Sequence, residues 1–249
     1  MKIVTLACSL ALGAMALVAS DAHQAHWGYT GKYSPEHWGD ISPETHMCKA
    51  GKNQSPINIT KSVGVDAELE AIGFHYTSAA HEVLNNGHTI QVNVEGGSFI
   101  TVDGIDFELK QFHFHTPSEN TIEGHSFPLE AHFVHAAKDG SLAVVAVLFK
   151  EGKENPILSK VWHEMPHKAG ASKKMQISAK ELNAFLPKER DYFRFEGSLT
   201  TPPCSEGVRW LVLKEQEEAS KEQVEKFLHV MHHPNNRPLQ PIGARRVIY

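Results

Sequence analysis

The sequence predicts a mainly β domain with peripheral helices, organised around a large, mostly antiparallel, twisted central sheet. Three observations carry that expectation. From Ile57 to Phe149 the chain reads as short β-branched and aromatic runs. Turn dipeptides separate the runs: Asn86-Gly87, Gly96-Gly97, Asp103-Gly104 and Asp139-Gly140. Helical periodicity is confined to short, capped segments later in the chain. With 249 residues and 41% hydrophobic content, one large core and a single domain are expected.

Residues 1–22 differ in kind. Lys2 supplies a short positive start, Ile3 to Ala19 is apolar and rich in Ala and Leu, and small residues follow at Val18-Ala-Ser20 and Ser20-Asp-Ala22. A secretory signal peptide is expected there, cut after about Ser20 or Ala22, with the mature domain over residues 23–249. The alternative is a membrane anchor, but an apolar run of about 17 residues is at the low end for a span. No other segment approaches that length. A periplasmic or secreted protein with no membrane anchor in its mature chain follows.

Of three cysteines, Cys8 falls in the leader, so the mature chain keeps Cys48 and Cys204. An even count in an oxidising compartment favours a disulfide between them, the alternative being two buried thiols. The bridge would close a loop of about 156 residues, worth about 4–5 kcal/mol by chain entropy, less any strain.

His23 to Lys52 carries Trp27-Gly-Tyr29, His37-Trp-Gly39 and several prolines with little periodicity, so it reads as an irregular, aromatic-anchored region. Strands are expected at Ile90–Val94, Phe99–Val102, Phe107–Phe114, Leu129–His135 and Leu142–Phe149, where apolar side chains recur with strand spacing or in short buried runs. Pro156 to Trp162 suits a short helix. Ser178-Ala-Lys-Glu181 has capping-box spacing ahead of Leu182 and Phe185, and Pro187 stops that helix early. Ser220-Lys-Glu-Gln223 starts another, with Val224, Phe227, Leu228 and Met231 as its apolar stripe.

A formal net charge of −5 argues against nucleic acid or an anionic membrane surface as partner. No glycine-rich phosphate loop and no Gly-x-Ser-x-Gly elbow is present.

The chemistry-bearing pattern is Gln111-Phe-His-Phe-His115 with Glu130-Ala-His132. A strand sends residues i and i+2 to one face, so His113 and His115 point together while Phe112 and Phe114 pack behind. His132 can join them from a paired strand. Among 17 histidines a lone His-x-His pair arises by chance, and surface or core histidines are the ordinary alternative. Two features favour a metal: the phenylalanines alternate with the histidines, and Gln111 and Glu130 each stand two residues before a histidine, where an oxygen can accept its second ring N–H. Three neutral nitrogens fill three corners of a zinc tetrahedron and leave the fourth open for reaction. His132 and His135 have opposite strand parity, which makes His135 a structural histidine.

Eight segments in order, Gln54-Ser-Pro-Ile57, Asn86-Gly-His88, Gln111 to His115, Ser118-Glu119, Glu130 to His135, Leu142 to Val145, Ser198 to Pro203 and Trp210 to Glu215, resemble the α-class carbonic anhydrases. The similarity spans roughly Trp27 to the C-terminus, and the leader and cysteine pair look most like the secreted bacterial branch. The resemblance implies one zinc ion on His113, His115 and His132 in a conical cleft, with Gln111 and Glu130 orienting the ligands. It implies reversible hydration of CO2 to bicarbonate and a proton by attack of zinc-bound hydroxide. Thr200 would aim that hydroxide and donate its own proton to Glu119. Val134, Val144, Leu199, Val208 and Trp210, which otherwise read as core, would with Thr201 form the substrate pocket. His88 would shuttle protons to solvent, with Tyr29, Asn86 and Gln91 holding the intervening waters. Asn120 follows Glu119 where some animal members of the family carry histidine, and Ala244 lies near a position often occupied by a polar residue. Relatives of this branch often pair as homodimers, though no interface is legible here. The alternatives are an inactive secreted binding protein of the same fold and a zinc esterase.

Overall fold

The structure is a computed structural model that describes residues 26–249. The expected leader over residues 1–22 and its cleavage points lie outside the described residues.

In chain order the first strands are β1 (Asn58–Ile59), β2 (Gly64–Val65), β3 (Gly73–His75), β4 (Ala80–Asn85), β5 (Ile90–Val94), β6 (Phe99–Val102), β7 (Ile105–His115) and β8 (Thr121–Ile122). Then come β9 (Leu129–Ala136), β10 (Leu142–Glu151), β11 (Ser172–Ile177), β12 (Tyr192–Ser198), β13 (Glu206–Leu213), β14 (Glu217–Ala219) and β15 (Val247–Ile248). The helices are α1 (Met47–Ala50), α2 (Pro156–Glu164), α3 (Ala179–Ala184) and α4 (Lys221–Met231). A 13-stranded sheet follows the order β11-β4-β5-β7-β9-β10-β13-β12-β15-β2, with β6, β3 and β14 paired off that path. Most pairings are antiparallel, as expected. Parallel pairings of β10 with β13 and β14, and of β15 with β2, make the sheet mixed.

Both expected capping boxes form, at Ser178 with Glu181 and at Ser220 with Gln223. The stripe on α4 is offset from the expected one: Phe227, Val230 and Met231 are buried, whereas Leu228 is exposed. Gly-free α4 ends at His232, whose left-handed backbone (φ 66°) closes the helix through its N–H to the Leu228 carbonyl. The region after Trp27 forms short 3-10 turns and α1, anchored by buried Trp38, whose Nε1 donates to the Gly28 and Tyr33 carbonyls.

The sheet carries two apolar clusters. On one face Phe112, Phe114, Phe133, Phe149 and Phe185 pack with Trp162 and Phe227 from α2 and α4. Full burial contributes roughly 1.5–3 kcal/mol for each such ring. The other cluster contains Val144, Ala146, Val208, Trp210 and Val212. Cys48 and Cys204 are bonded, with Cα atoms 4.9 Å apart.

Candidate metal centre

Strands β7 and β9 create the centre. His113 and His132 are register partners, and Phe112 and Phe133 pair one step away on the other face. A bulge between Leu109 and Gln111 resets the parity, so Gln111, His113 and His115 share the site face while Leu109 joins the phenylalanines behind. The free ring nitrogens of His113, His115 and His132 all lie within 4.8 Å of one another.

Each imidazole is held by its other nitrogen. His113 Nδ1 is 2.8 Å from Gln111 Oε1, His115 Nδ1 is 2.7 Å from the Asn235 carbonyl, and His132 Nε2 is 2.9 Å from Glu130 Oε1. These acceptors assign an N–H to each engaged nitrogen and leave a lone pair on the opposite one. The donor set is therefore three neutral imidazoles. Burial pushes all three pKa values down, furthest for His113 and His132, with neighbouring histidines adding to the effect there. His113 keeps part of its surface accessible, as a side chain facing a cavity does.

Three buried side-chain polar atoms among the described residues lack a hydrogen-bond partner: His115 Nε2, Glu119 Oε2 and Tyr29 Oη. Unmet polar groups of this kind are costly, so their convergence is informative. Glu119 Oε2 stands 3.5 Å from His115 Nε2 and 3.9 Å from His132 Nδ1. Its other oxygen accepts the Arg237 backbone N–H at 2.8 Å. Burial raises the Glu119 pKa well above the usual range, opposed by that N–H and by the Thr200 hydroxyl. Thr200 is buried beside it, but no hydrogen bond from Thr200 to Oε2 is closed in this arrangement. Glu130, also raised by burial, accepts from the backbone N–H groups of Glu119 and Asn120, from Asn120 Nδ2 and from His132. Asn120 thus steadies the Glu130 carboxylate at this site. A dication between the histidines would favour ionisation of both carboxyls. The residues present fit zinc: three nitrogen donors with fixed tautomers, one of them an orphan, and anionic groups close by.

The apolar residues fall into register beside this. Val134 pairs with Val144, and Val144 pairs with Trp210 across β9, β10 and β13. Leu142 pairs with Val208 in the next row. Two residues along β9 from His132 is roughly 6.8 Å, so these rows lie next to the histidine cluster. The Trp210 ring meets His132 edge to face at 4.8 Å, and its Nε1 donates to the Ser198 carbonyl at 3.0 Å. A Cβ on Gly197 would come within 2.8 Å of Trp210 Cδ1, so glycine alone lets β12 approach the indole this closely. Leu199 and Thr201 are half-exposed, and the Thr201 carbonyl accepts the Cys204 N–H.

His88 is half-buried and stacked on Trp27, with centroids 3.6 Å apart and planes 7° from parallel. Its backbone N–H donates to Asn86 Oδ1 and its carbonyl accepts from Asn235 Nδ2. Burial, with the charges of His26 and His233, lowers its pKa to about 4. Gln91 is the register partner of His113, and Asn86 Nδ2 is 3.4 Å from Gln91 Oε1. His135 faces away from the site, bonded to Tyr76 Oη at 2.8 Å and to the Ala143 carbonyl at 3.3 Å.

The family model described as eukaryotic-type carbonic anhydrase matches residues 33–249. The chain belongs to the α-class carbonic anhydrase family. It is 51% identical over 231 residues to a carbonic anhydrase of Neisseria gonorrhoeae, covering 92% of this chain and 90% of the relative. The α-carbonic anhydrase of Thermovibrio ammonificans, solved with the inhibitor sulfanilamide, superposes with a TM-score of 0.87 at 55% identity, over 90% of this chain and 99% of that one. A hyperthermostable carbonic anhydrase from a hydrothermal vent chimney gives 0.85 at 57% identity, over 90% and 99%. As a carbonic anhydrase family member the chain is an enzyme, of lyase class.

Three contributors to this carbonic anhydrase site were not singled out by sequence reasoning. Asn235 supplies the carbonyl that orients His115, and its side chain ties Thr116, Phe114 and His88 together. Arg237 positions Glu119 through its backbone N–H, while its buried guanidinium donates to Gln54 Oε1 and the Ser55 and Cys48 carbonyls. Trp27 holds His88. The only sequence signal was an aperiodic polar stretch, Pro234-Asn-Asn-Arg-Pro238, where a loop over a site would be expected.

Proposed function

We propose that this chain hydrates CO2 reversibly to bicarbonate and a proton, with zinc held by His113, His115 and His132. The observation that carries the proposal is the shared space onto which three oriented imidazoles turn their free nitrogens, next to the unpaired Glu119 oxygen. Zinc bound there would supply a nucleophilic water ionised near neutrality, carbonic anhydrase being the type case of that effect. Gln111, Asn235 and Glu130 keep the ligand nitrogens aimed. The Thr200 hydroxyl accepts a hydrogen bond from the attacking oxygen and passes its own to Glu119, because a hydroxyl can do both at once. That pairing fixes the oxygen's lone-pair direction, a positioning effect. Val134, Val144, Leu199, Val208 and Trp210, with Thr201, seat the small apolar substrate. Bicarbonate is polar and leaves a wall that gives it few partners. His88 takes the proton outward, with Tyr29, Asn86 and Gln91 bracketing its route.

The disulfide supports a chain that works in an oxidising compartment, periplasmic or secreted, after loss of a leader at residues 1–22 from a domain of residues 23–249. Among the described residues no helix is long and apolar enough to cross a membrane. A homodimer suits the bacterial branch. The test is stopped-flow CO2 hydration by the mature protein with bound zinc assayed beside it and His113→Ala as control. Rapid hydration lost in the control is expected. Zinc-replete protein without hydration would overturn the reading and leave an esterase or a binding protein on this fold.

A further inference from the structure

We infer that His233 is a second proton-carrying imidazole beside Tyr29, serving the same proton export as His88. This rests on the proposed hydration reaction. The geometry begins with His88, whose ring is stacked on Trp27 and whose backbone is pinned by Asn86 and Asn235. An imidazole held this way has little freedom to reorient between accepting a proton and releasing it. The same Asn235 that pins His88 also orients the ligand His115, and His233 lies two residues before it in the segment that closes over the site.

The His233 ring centroid is 6.1 Å from that of Tyr29, whose hydroxyl is buried without a partner. Tyr29 in turn feels the charges of Glu119 and Arg237, so its hydroxyl lies within electrostatic reach of that carboxylate. His233 is half-exposed. Its Nδ1 is 2.9 Å from the Pro234 carbonyl, which assigns the N–H to Nδ1 and leaves the Nε2 lone pair as acceptor. An arriving proton binds Nε2, the Nδ1–H stays on its carbonyl, and the Nε2 proton then leaves to a buffer base in solvent. Nothing else is consumed.

The two imidazoles are also electrostatically coupled. The groups facing His88 whose charge lowers its pKa are His26 and His233. A base depressed to about 4 accepts a proton less readily than an ordinary imidazole, so a second acceptor adds to what His88 carries. His26, whose ring centroid is 4.4 Å from that of Tyr33, is the other contributor of charge.

The experiment compares wild type, His88→Ala, His233→Ala, His233→Gln and the His88→Ala/His233→Ala double variant, each zinc-replete. Proton export follows CO2 attack, so the expected signature is a fall in kcat with kcat/KM unchanged. For either His233 variant the fall in weak buffer is on the order of tenfold, less than the ~10²-fold typical of losing a sole acid-base group, because His88 remains. Imidazole should restore it, and the double variant should fall further than either single. A kcat equal to wild type in weak buffer in both His233 variants overturns the inference. An activity-independent arm follows the His88 ring by NMR titration in the metal-free protein. His233→Gln should raise its midpoint, and an unmoved midpoint also overturns the inference. Concentrated buffer separates the two readings: loss of wild-type hydration there sinks the reaction, whereas loss confined to weak buffer concerns the carriers.

Discussion

His132 and His135 stand three residues apart on β9, both buried, both with pKa values pushed down by burial, yet one faces the metal centre and the other the core. Burial and pKa direction therefore do not separate a ligand from a structural histidine. The second nitrogen does. His135 has both occupied, by Tyr76 Oη and the Ala143 carbonyl. His132 has only Nε2 occupied, by Glu130, and turns Nδ1 toward Glu119 Oε2 at 3.9 Å, beyond hydrogen-bond reach. A buried imidazole with two partners is satisfied, whereas three imidazoles with one partner each and a common open side are arranged to hold an ion.

The largest effect should come from breaking the open side. His132→Ala removes a donor and should cost several kcal/mol of transition-state stabilisation, ~10³-fold or more in hydration rate. Zinc per chain should fall in parallel, measured by elemental analysis after dialysis. If zinc and rate both persist, the contrast with His135 collapses.

Next come the oxygens behind the ligands. Gln111→Ala and Glu130→Gln should each weaken zinc by about 10–100-fold, read by competition with a chelating dye. Glu130→Gln should be the worse of the two, because Glu130 also accepts from the Glu119 and Asn120 backbones, whereas Gln111 holds only His113. Equal losses would mean that Glu130 acts through His132 alone.

On the core face the same deletion should act on stability and not on metal. His135→Phe leaves the Tyr76 hydroxyl, fully buried, without its partner, a cost of about 1–3 kcal/mol in urea unfolding with zinc content unchanged. Adding Tyr76→Phe should recover part of the loss, since no orphan hydroxyl then remains. Zinc loss in His135→Phe would show that the two faces are not independent.

The division between these faces was legible from parity. Gln111, His113 and His115 alternate with Phe112 and Phe114, and a strand has no other way to place them. Strands such as Ile90–Val94 and Phe99–Val102 were readable with their boundaries for the same reason. The parallel neighbour of β10 was not, because β13 arrives about 60 residues later and a crossover leaves no local mark on either strand. Asn235 and Arg237 were hidden for a different reason. They serve their partners through a backbone carbonyl and a backbone N–H, 120 and 118 residues away, and any residue type carries those groups. The stacking of His88 on Trp27 joins two aperiodic segments and is likewise invisible to spacing.

The smallest and most diagnostic effect is in acid. The folded His135 pKa is lowered to about 3 by burial, below an unfolded value of about 6.5. Above that unfolded value both states are neutral at this ring and its contribution is fully present. As pH falls from about 6.5 toward 3 the unfolded chain binds a proton that the folded chain refuses, so stability falls by up to about 1.4 kcal/mol per pH unit from this group. Other groups titrate in the same window, but they are common to wild type and His135→Phe. The difference between the two stability-versus-pH slopes from pH 6.5 to 4 therefore isolates the one ring. The variant should be less stable at pH 7 and yet lose stability more slowly in acid, so the two curves converge as pH falls. Parallel curves would mean that His135 takes up its proton in the folded state, with Tyr76 and Ala143 accommodating it, and the line between a satisfied core histidine and a ligand would have to be drawn elsewhere.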